Sequence, residues 1–228
     1  MERETVAGLA LAAGAALVIY RARQRTSADT TWSVGANWPS KRAQLAACSP
    51  SDLLVITDFD ATVTTGDSEQ CHDLMGASQL MSDDFRKEFA PLLDWTTDTN
   101  IDGVKWWDTA HALVVKHGMP RRNMIPRLVR DARMVPRPGV LELLRSLEEL
   151  NVPVLIVSAG VSDIIEEFLR QHGALSENVT VCSNRLNYAA DSAPSSVSPD
   201  PPITSFTKAY AYSSSSAFFR QHAARKSL

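Results

Sequence analysis

Two short apolar runs, each ending in polar residues, constrain the fold more than any other feature of the sequence. LLVITDFD (53–60) and VPVLIVSAG (152–160) are rich in β-branched residues, which is typical of buried strands in a parallel sheet. Amphipathic helices are predicted over 136–150 and 161–173, and NVTVCSN (178–184) is predicted to be a third strand. This alternation of strands and helices predicts an α/β fold with a parallel sheet and right-handed crossovers.

The composition excludes several classes of protein. Of the 228 residues, 44% are hydrophobic and 21% are charged, which excludes a disordered, collagen-like or coiled-coil chain. The net charge of −3 lacks the basic excess that nucleic-acid phosphates require, so no nucleic-acid partner is expected. Cys48, Cys71 and Cys182 lie far apart with no CxxC pair, which predicts reduced thiols rather than a disulfide framework or a zinc site.

The amino terminus carries an apolar run, VAGLALAAGAALVIY, at residues 6–20. As a helix this run spans roughly 22 Å, less than the roughly 30 Å of a bilayer's hydrocarbon layer. Arginines concentrated after the run favour a cytosolic position for the rest of the chain. We therefore expect residues 1–25 to form an N-terminal hydrophobic helix, either a membrane anchor or a targeting segment, with a packed amphipathic helix as a further alternative. Residues 26–50 are expected to be a linker, and the protein to be cytoplasmic, with a membrane tether through 6–20.

Two aspartates, Asp58 and Asp60, follow the first predicted strand, at the end of the sheet where open parallel sheets bind ligands. Such a pair suits divided chemistry, with one carboxylate as nucleophile and the other as proton donor, and it offers hard oxygen ligands for Mg²⁺. The alternative is a strand that ends in solvated acids before a turn, because Asp is common at such positions.

Ser158 comes at the end of the second predicted strand and is followed by Ala159, Gly160 and a helix. Backbone amides at such a turn can cradle a phosphate, although a serine there is equally suited to capping the helix. Lys208 follows a Ser/Pro-rich stretch (189–202) that is predicted to loop out. By itself Lys208 fits a solvated surface lysine, since most lysines are exposed.

Asp, Ser and Lys in this order, at successive strand ends, resemble the haloacid dehalogenase superfamily. The resemblance is closer to the pyrimidine 5′-nucleotidase family of the cytosolic 5′-nucleotidase III type, and it covers roughly residues 50–210. The matching stretches are VITDFDATVT, DDFRKEF, TAHALVVKHGMP, RPGVLELLRSLEELNVPVLIVSAGVSDIIEEFLRQHG, NVTVCSN and PPITSFTK.

The resemblance implies a haloacid dehalogenase-like parallel sheet, Rossmann-like but incomplete, with an inserted α-helical cap. The core would comprise residues 51–65 and 135–210, the cap 66–134, and a divergent tail 211–228.

The resemblance also implies a role for each site residue. Asp58 would attack the phosphorus of a nucleoside 5′-monophosphate of the pyrimidine type, and Asp60 would act as the proton donor and acceptor. The Asp58 carboxylate and the Asp60 carbonyl would bind Mg²⁺. Ser158, the backbone near Ala159, and Lys208 would stabilise charge on the phosphoryl group.

The sequence departs from the family after Lys208, because it has no acidic turn of the GDxxGD type before Leu228. We therefore expect a truncated family member with weakened Mg²⁺ binding and with one edge of its sheet uncovered. Two alternatives to an active nucleotidase stay open. One is a catalytically dead remnant or a binding protein, and the other is a small-metabolite phosphatase of the phosphoserine type.

Overall fold

The computed structural model describes residues 38–93, 103–209, 216–222 and 226–227. The predicted anchor at 6–20 and residues 26–37 of the predicted linker lie outside these residues. In the part of the chain that is described, none of the helices combines the length and the apolar character needed to cross a bilayer.

A single five-stranded sheet forms the centre of the described chain, with the strand order β4-β3-β2-β1-β5. β1 pairs in parallel with β2 and β5, β2 pairs in parallel with β3, and β3 pairs antiparallel with β4. The strands are β1 Leu53–Thr57, β2 Val154–Val161, β3 Val179–Tyr188, β4 Pro194–Ser198 and β5 Lys226–Ser227.

Helices precede, connect and follow the strands, and the two at 140–149 and 162–171 agree with the predicted amphipathic helices. The longest insertion lies between β1 and β2, where the predicted cap residues contain α2 to α5; the division into cap and core stays a prediction. The helices are α1 Trp38–Ala46, α2 Cys71–Ala77, α3 Asp83–Leu93, α4 Gly103–His117, α5 Ile125–Asp131, α6 Val140–Glu149, α7 Ser162–Gln171 and α8 Ser216–Gln221.

Both faces of the sheet are covered by apolar side chains. On one face, Val154 and Ile156 of β2 join a large cluster that also contains Phe168 of α7 and Phe85 and Phe89 of α3. The inserted helices therefore pack on the sheet through one continuous core, which holds them against the strand ends. A smaller cluster covers the other face and consists of Leu54, Leu155, Val157, Ile203 and Phe218.

The expectation of an all-parallel sheet with 189–202 looping out is wrong. Residues 194–198 form β4, whose Val197 pairs with Leu186 of β3. The hairpin closes through the Ala189 amide, which donates to the Ala193 carbonyl at 2.9 Å. Backbone pairing along the open edge of β3 outweighs the weak strand preference of the serine-rich sequence, because each ladder bond satisfies exposed backbone groups.

The edge of the sheet beside β1 carries a short fifth strand. Two residues of β5 pair with Leu53 and Leu54 in parallel register. The edge of β1 therefore has a neighbour among the described residues, which supplies partners for otherwise open backbone groups. The second strand is shifted relative to the prediction of 152–160, since β2 begins at Val154 and continues through Val161.

Candidate active site

Asp58 follows β1 directly and is paired with the predicted lysine. Its Oδ1 accepts the Phe59 amide at 2.8 Å, and its Oδ2 accepts the Lys208 ammonium at 2.5 Å. Each of the two charged side chains is about one-third exposed, so they meet at the surface of the site. A carboxylate held in one orientation beside a cation is suited to meeting an anionic substrate.

The turn after Asp58 is fixed by a dense set of hydrogen bonds. The Phe59 carbonyl accepts the amides of Thr62, Val63 and Thr64 at 2.8–3.2 Å. Ala61 has a φ of 57°, which a residue with a side chain adopts only at some cost.

Arg137, just before α6, holds this turn from outside. Its Nη2 donates to the Ala61 carbonyl at 2.5 Å and its Nε to the Thr62 carbonyl at 2.9 Å. Its own amide donates to the Val63 carbonyl at 2.8 Å. These bonds compensate the left-handed conformation of Ala61 and keep the aspartate-bearing turn in place.

Asp60 is partly buried and lies beside α2. Burial is the main cause that raises the pKa of its carboxyl to about 7, and the negative charge of Asp58 raises it further. The Cys71 thiol contacts Oδ1 of Asp60 at 3.8 Å, and the Cys71 amide, which also faces the carboxyl, opposes the rise. A carboxyl that titrates near neutral pH is suited to both giving and taking a proton.

Ser158 lies in an irregular part of β2. Between the pairs Val157–Cys182 and Val161–Asn184, β2 advances four residues while β3 advances two. This bulge turns the backbone at the strand end, as bulges beside functional sites commonly do. Ser158 is buried, and its Oγ accepts the Gly160 amide at 3.0 Å. Because α7 begins at Ser162, Ser158 is not its N-cap.

Asn184 joins the Ser158 turn to the segment that leads to Lys208. Its buried Nδ2 lies within hydrogen-bond distance of the carbonyls of Ala159, Gly160 and Ile203, at 2.9, 3.2 and 2.8 Å. Its Oδ1 accepts the Ile203 amide at 2.9 Å. One amide side chain therefore links the two predicted phosphate-binding elements, and buried polar networks of this kind rigidify a site.

Trp107 of α4 contacts the same turn from the inserted helices. Its Nε1 donates to the Ala159 carbonyl at 2.9 Å, whereas Nε1 of Trp106 donates to the Leu92 carbonyl at 2.9 Å. Both rings are buried and packed edge-on against His72. Trp107 therefore packs the inserted helices against the end of β2, whereas Trp106 packs those helices against one another.

The predicted residues thus fall into two contacting groups. Asp58 pairs with Lys208. Asp60 contacts Cys71, and Cys71 packs against Gly160, because a Cβ on Gly160 would lie 2.7 Å from the Cys71 Sγ. Gly160 in turn bonds to Ser158. Both groups lie at the carboxyl ends of the neighbouring parallel strands β1 and β2.

Sequence reasoning missed three residues that support the site, Arg137, Asn184 and Cys71. Asn184 had a detectable signal, because it is a polar residue at the end of a predicted strand on the same sheet edge. Arg137 and Cys71 had none, since their contacts cross 75 and 11 residues of sequence.

The donor chemistry at Asp58 and Asp60 fits a magnesium ion in part. Within the described ranges, no three His, Cys, Asp or Glu side chains gather closely enough to hold a metal ion. A carboxylate and a backbone carbonyl are nevertheless hard oxygen donors, and Mg²⁺ commonly uses one or two carboxylates together with water and substrate phosphate. The site is therefore compatible with an ion that arrives together with a phosphate.

The comparisons with known proteins agree with the predicted resemblance. A family model described as pyrimidine 5′-nucleotidase (UMPH-1) matches residues 56–228. A protein from Gallus gallus named 7-methylguanosine phosphate-specific 5′-nucleotidase is 30% identical over 194 residues, which cover 78% of this chain and 66% of the relative. The aligned region spans between about half and two-thirds of the first curated relatives.

Solved structures share the fold. Cytosolic 5′-nucleotidase IIIB bound to cytidine superposes with a TM-score of 0.56 at 24% identity, covering 66% of this chain and 55% of that one. A probable phosphoserine phosphatase from Vibrio cholerae, in its unliganded form, superposes with a TM-score of 0.52 at 14% identity, covering 76% of this chain and 48% of that one. The predicted haloacid dehalogenase-like α/β fold is confirmed, with a mixed rather than a parallel sheet. The match across residues 56–228 establishes that this chain belongs to the pyrimidine 5′-nucleotidase family.

Proposed function

We propose that this protein is a Mg²⁺-dependent 5′-nucleotidase that hydrolyses nucleoside 5′-monophosphates through an aspartyl-phosphate intermediate. The observation that carries the proposal is the contact between Asp58 and Lys208 at the end of β1, beside the Ser158 turn at the end of β2. A nucleophilic carboxylate, a cation and a turn of backbone amides at one sheet edge are the parts that phosphoryl transfer requires.

The first half of the reaction uses both aspartates. An oxygen of Asp58 attacks phosphorus, and the P–O5′ bond breaks while Asp60 gives its proton to the leaving 5′-oxygen. Lys208 and the turn at Ser158 and Ala159 stabilise the charge of the transferring group. Bound through the Asp58 carboxylate and the Asp60 carbonyl, Mg²⁺ would supply further charge neutralisation.

The second half restores the enzyme. Asp60, now a carboxylate, takes a proton from water, and the water oxygen attacks phosphorus. The bond between phosphorus and Asp58 breaks, which releases inorganic phosphate and frees the Asp58 carboxylate. A carboxyl with a pKa of about 7 is suited to both proton transfers.

The base of the preferred substrate is the finer part of the proposal. The family description names pyrimidine 5′-nucleotidase, whereas the Gallus gallus relative is named for 7-methylguanosine phosphate. We retain the pyrimidine nucleotides CMP and UMP as the proposed substrates. Comparison with 7-methyl-GMP, AMP and phosphoserine distinguishes pyrimidine specificity from specificity for methylated purine nucleotides, ordinary purine nucleotides and small phosphate esters.

The decisive experiment measures phosphate release from this panel with Mg²⁺ and with EDTA, for the wild type and for Asp58→Asn. We expect hydrolysis of nucleoside monophosphates that needs Mg²⁺ and is lost in Asp58→Asn. A beryllium trifluoride adduct on Asp58, seen in a crystal structure, would support the covalent step. No hydrolysis of any ester in the panel would contradict the proposal and favour the catalytically dead alternative, and hydrolysis of phosphoserine alone would favour the small-metabolite phosphatase.

We also propose that the active site faces the cytosol. The structural neighbour is described as a cytosolic enzyme, and the arginines after residues 6–20 favour the same side of a membrane. Carbonate extraction of the full-length chain tests the tether, since complete release into the soluble fraction would contradict it.

A further inference from the structure

Cys71 occupies the narrow space between the two strand ends of the site. It is the first residue of α2, it is fully buried, and its Sγ donates to Oδ1 of Asp60 at 3.8 Å. Among the described cysteines, Cys71 is the one whose thiol contacts a predicted catalytic carboxyl. Cys182 lies instead on β3, beside the smaller apolar cluster.

The other side of the thiol rests against the Ser158 turn. A Cβ placed on Gly160 would lie 2.7 Å from the Cys71 Sγ and 3.1 Å from the Ser158 Oγ, so the thiol fills the space that a side chain there would need. The Gly160 amide in turn donates to the Ser158 Oγ at 3.0 Å. The thiol therefore contacts Asp60 on one side and the backbone of the proposed phosphate-binding turn on the other.

We propose that Cys71 is a positioning residue that holds the Asp60 carboxyl in the orientation from which it protonates the leaving oxygen. This inference rests on the proposed function. A thiol that donates to Oδ1 leaves Oδ2 to carry the proton that is transferred to the 5′-oxygen as the P–O5′ bond breaks and the Asp58–phosphorus bond forms. Packing of the thiol against Gly160 prevents the carboxyl from rotating into the space behind it, and small losses of orientation at a catalytic group lower rates strongly.

The chemistry of the leaving group separates positioning from mere packing. An alkoxide such as the nucleoside 5′-oxygen is a poor leaving group that needs a proton, whereas p-nitrophenolate leaves without one. A variant that disturbs only the acid should therefore lose activity on nucleoside monophosphates and retain it on p-nitrophenyl phosphate. A variant that disturbs the fold or the nucleophile should lose activity on both esters alike.

The experiment compares kcat and KM of Cys71→Ala, Cys71→Ser and Cys182→Ala on CMP and p-nitrophenyl phosphate. For Cys71→Ala we expect kcat on CMP to fall by about tenfold or more, with KM and the rate on p-nitrophenyl phosphate changed by less than about threefold. Cys71→Ser retains a donor of similar size, so it should recover most of the CMP rate. Cys182→Ala removes a thiol of similar size from the other face of the sheet, so its effect should not depend on the leaving group.

Equal losses on both esters in Cys71→Ala, or wild-type rates on both, would overturn the positioning role. If the alanine variant does not fold, Cys71→Val decides by the same ratio of rates, because valine fills a similar space without a hydrogen-bond donor. A loss of activity on CMP alone supports the role, and equal losses on both esters, or wild-type rates on both, overturn it. A wild-type protein that hydrolyses neither ester would overturn the proposed function together with this inference, which distinguishes the two failures.

Discussion

The Lys208 ammonium lies 2.5 Å from Oδ2 of Asp58, although 150 residues separate them in the sequence. The turn that carries Lys208 is fixed by buried Thr204, whose carbonyl accepts the Lys208 amide at 2.9 Å. The position of the ammonium is therefore set by folded backbone rather than by a flexible surface loop.

Replacing Lys208 by methionine should lower kcat/KM for a nucleoside monophosphate by about 10²- to 10³-fold, because a group that stabilises phosphoryl charge is lost. Lys208→Arg should retain part of the activity, since it keeps the charge. Lys116→Met is the matched control, because Lys116 is an exposed lysine on α4 that also pairs with a carboxylate, Glu88 of α3. Steady-state kinetics check this, and a loss below about threefold in Lys208→Met would remove Lys208 from the mechanism.

The buried Asn184 side chain should be essential to both stability and activity. Asn184→Ala leaves the Ile203 amide and the neighbouring carbonyls without their partner, at about 1–3 kcal/mol for each buried group left unsatisfied. We expect the free energy of unfolding to fall by about 3 kcal/mol, and kcat to fall because the segment before Lys208 is released. Asn187→Ala, on the exposed side of β3, should change stability by less than about 0.5 kcal/mol. Urea denaturation of both variants measures the difference, and equal midpoints would contradict the linking role of Asn184.

Adding one methyl group at Gly160 should disrupt the site. The new Cβ would lie 2.7 Å from the Cys71 Sγ, closer than van der Waals contact permits, so either the thiol or the strand end must shift. Overpacking of this kind costs about 1–3 kcal/mol. Gly66→Ala is the control, because nothing lies within 4 Å of the corresponding Cβ. The test is to measure thermal unfolding and phosphate-release rates for both variants. Equal values for Gly160→Ala and Gly66→Ala would contradict the close packing at Gly160.

Two buried histidines should make stability depend on pH. Burial lowers the pKa of His72 to about 3 and that of His111 to about 4, and their stacked rings lie 5.7 Å apart. In the unfolded chain both imidazoles have a pKa near 6.5. Between that pH and the lower pKa of each histidine in the folded protein, the unfolded state therefore binds more protons than the folded state. Stability is therefore complete above pH 6.5 and falls as the pH drops toward 4, by about 2 kcal/mol per histidine at pH 5.

The measurement is the free energy of unfolding at pH 7.5, 6.5, 5.5 and 5.0 for the wild type and for His111→Asn. The variant should show a shallower decline, because one depressed pKa has been removed. Raised carboxyl pKa values, as at Asp163, act in the opposite direction and are common to both proteins, so the difference between the two curves is the informative quantity. Parallel curves would show that His111 is not neutral in the folded state.

The chain itself determined the main strands and the order of the site residues. Apolar β-branched runs indicate buried strands from local sequence alone. The polar residues that end these runs, Asp58 and Ser158, must therefore lie at the same edge of a parallel sheet. The family was recognisable for the same reason, because its motifs are contiguous. The inclusion of Lys208 among the predicted site residues followed only from the resemblance, since an isolated lysine has no local signature.

Tertiary structure alone decided the remaining features. The serine-rich sequence of β4 does not by itself predict a strand, and it forms one because the edge of β3 offers backbone hydrogen-bond partners. The rise in the pKa of Asp60, its contact with Cys71 and the bonds of Asn184 depend on which groups surround each side chain after folding. Burial and distance are properties of the assembled chain, because they arise between segments that the sequence keeps far apart.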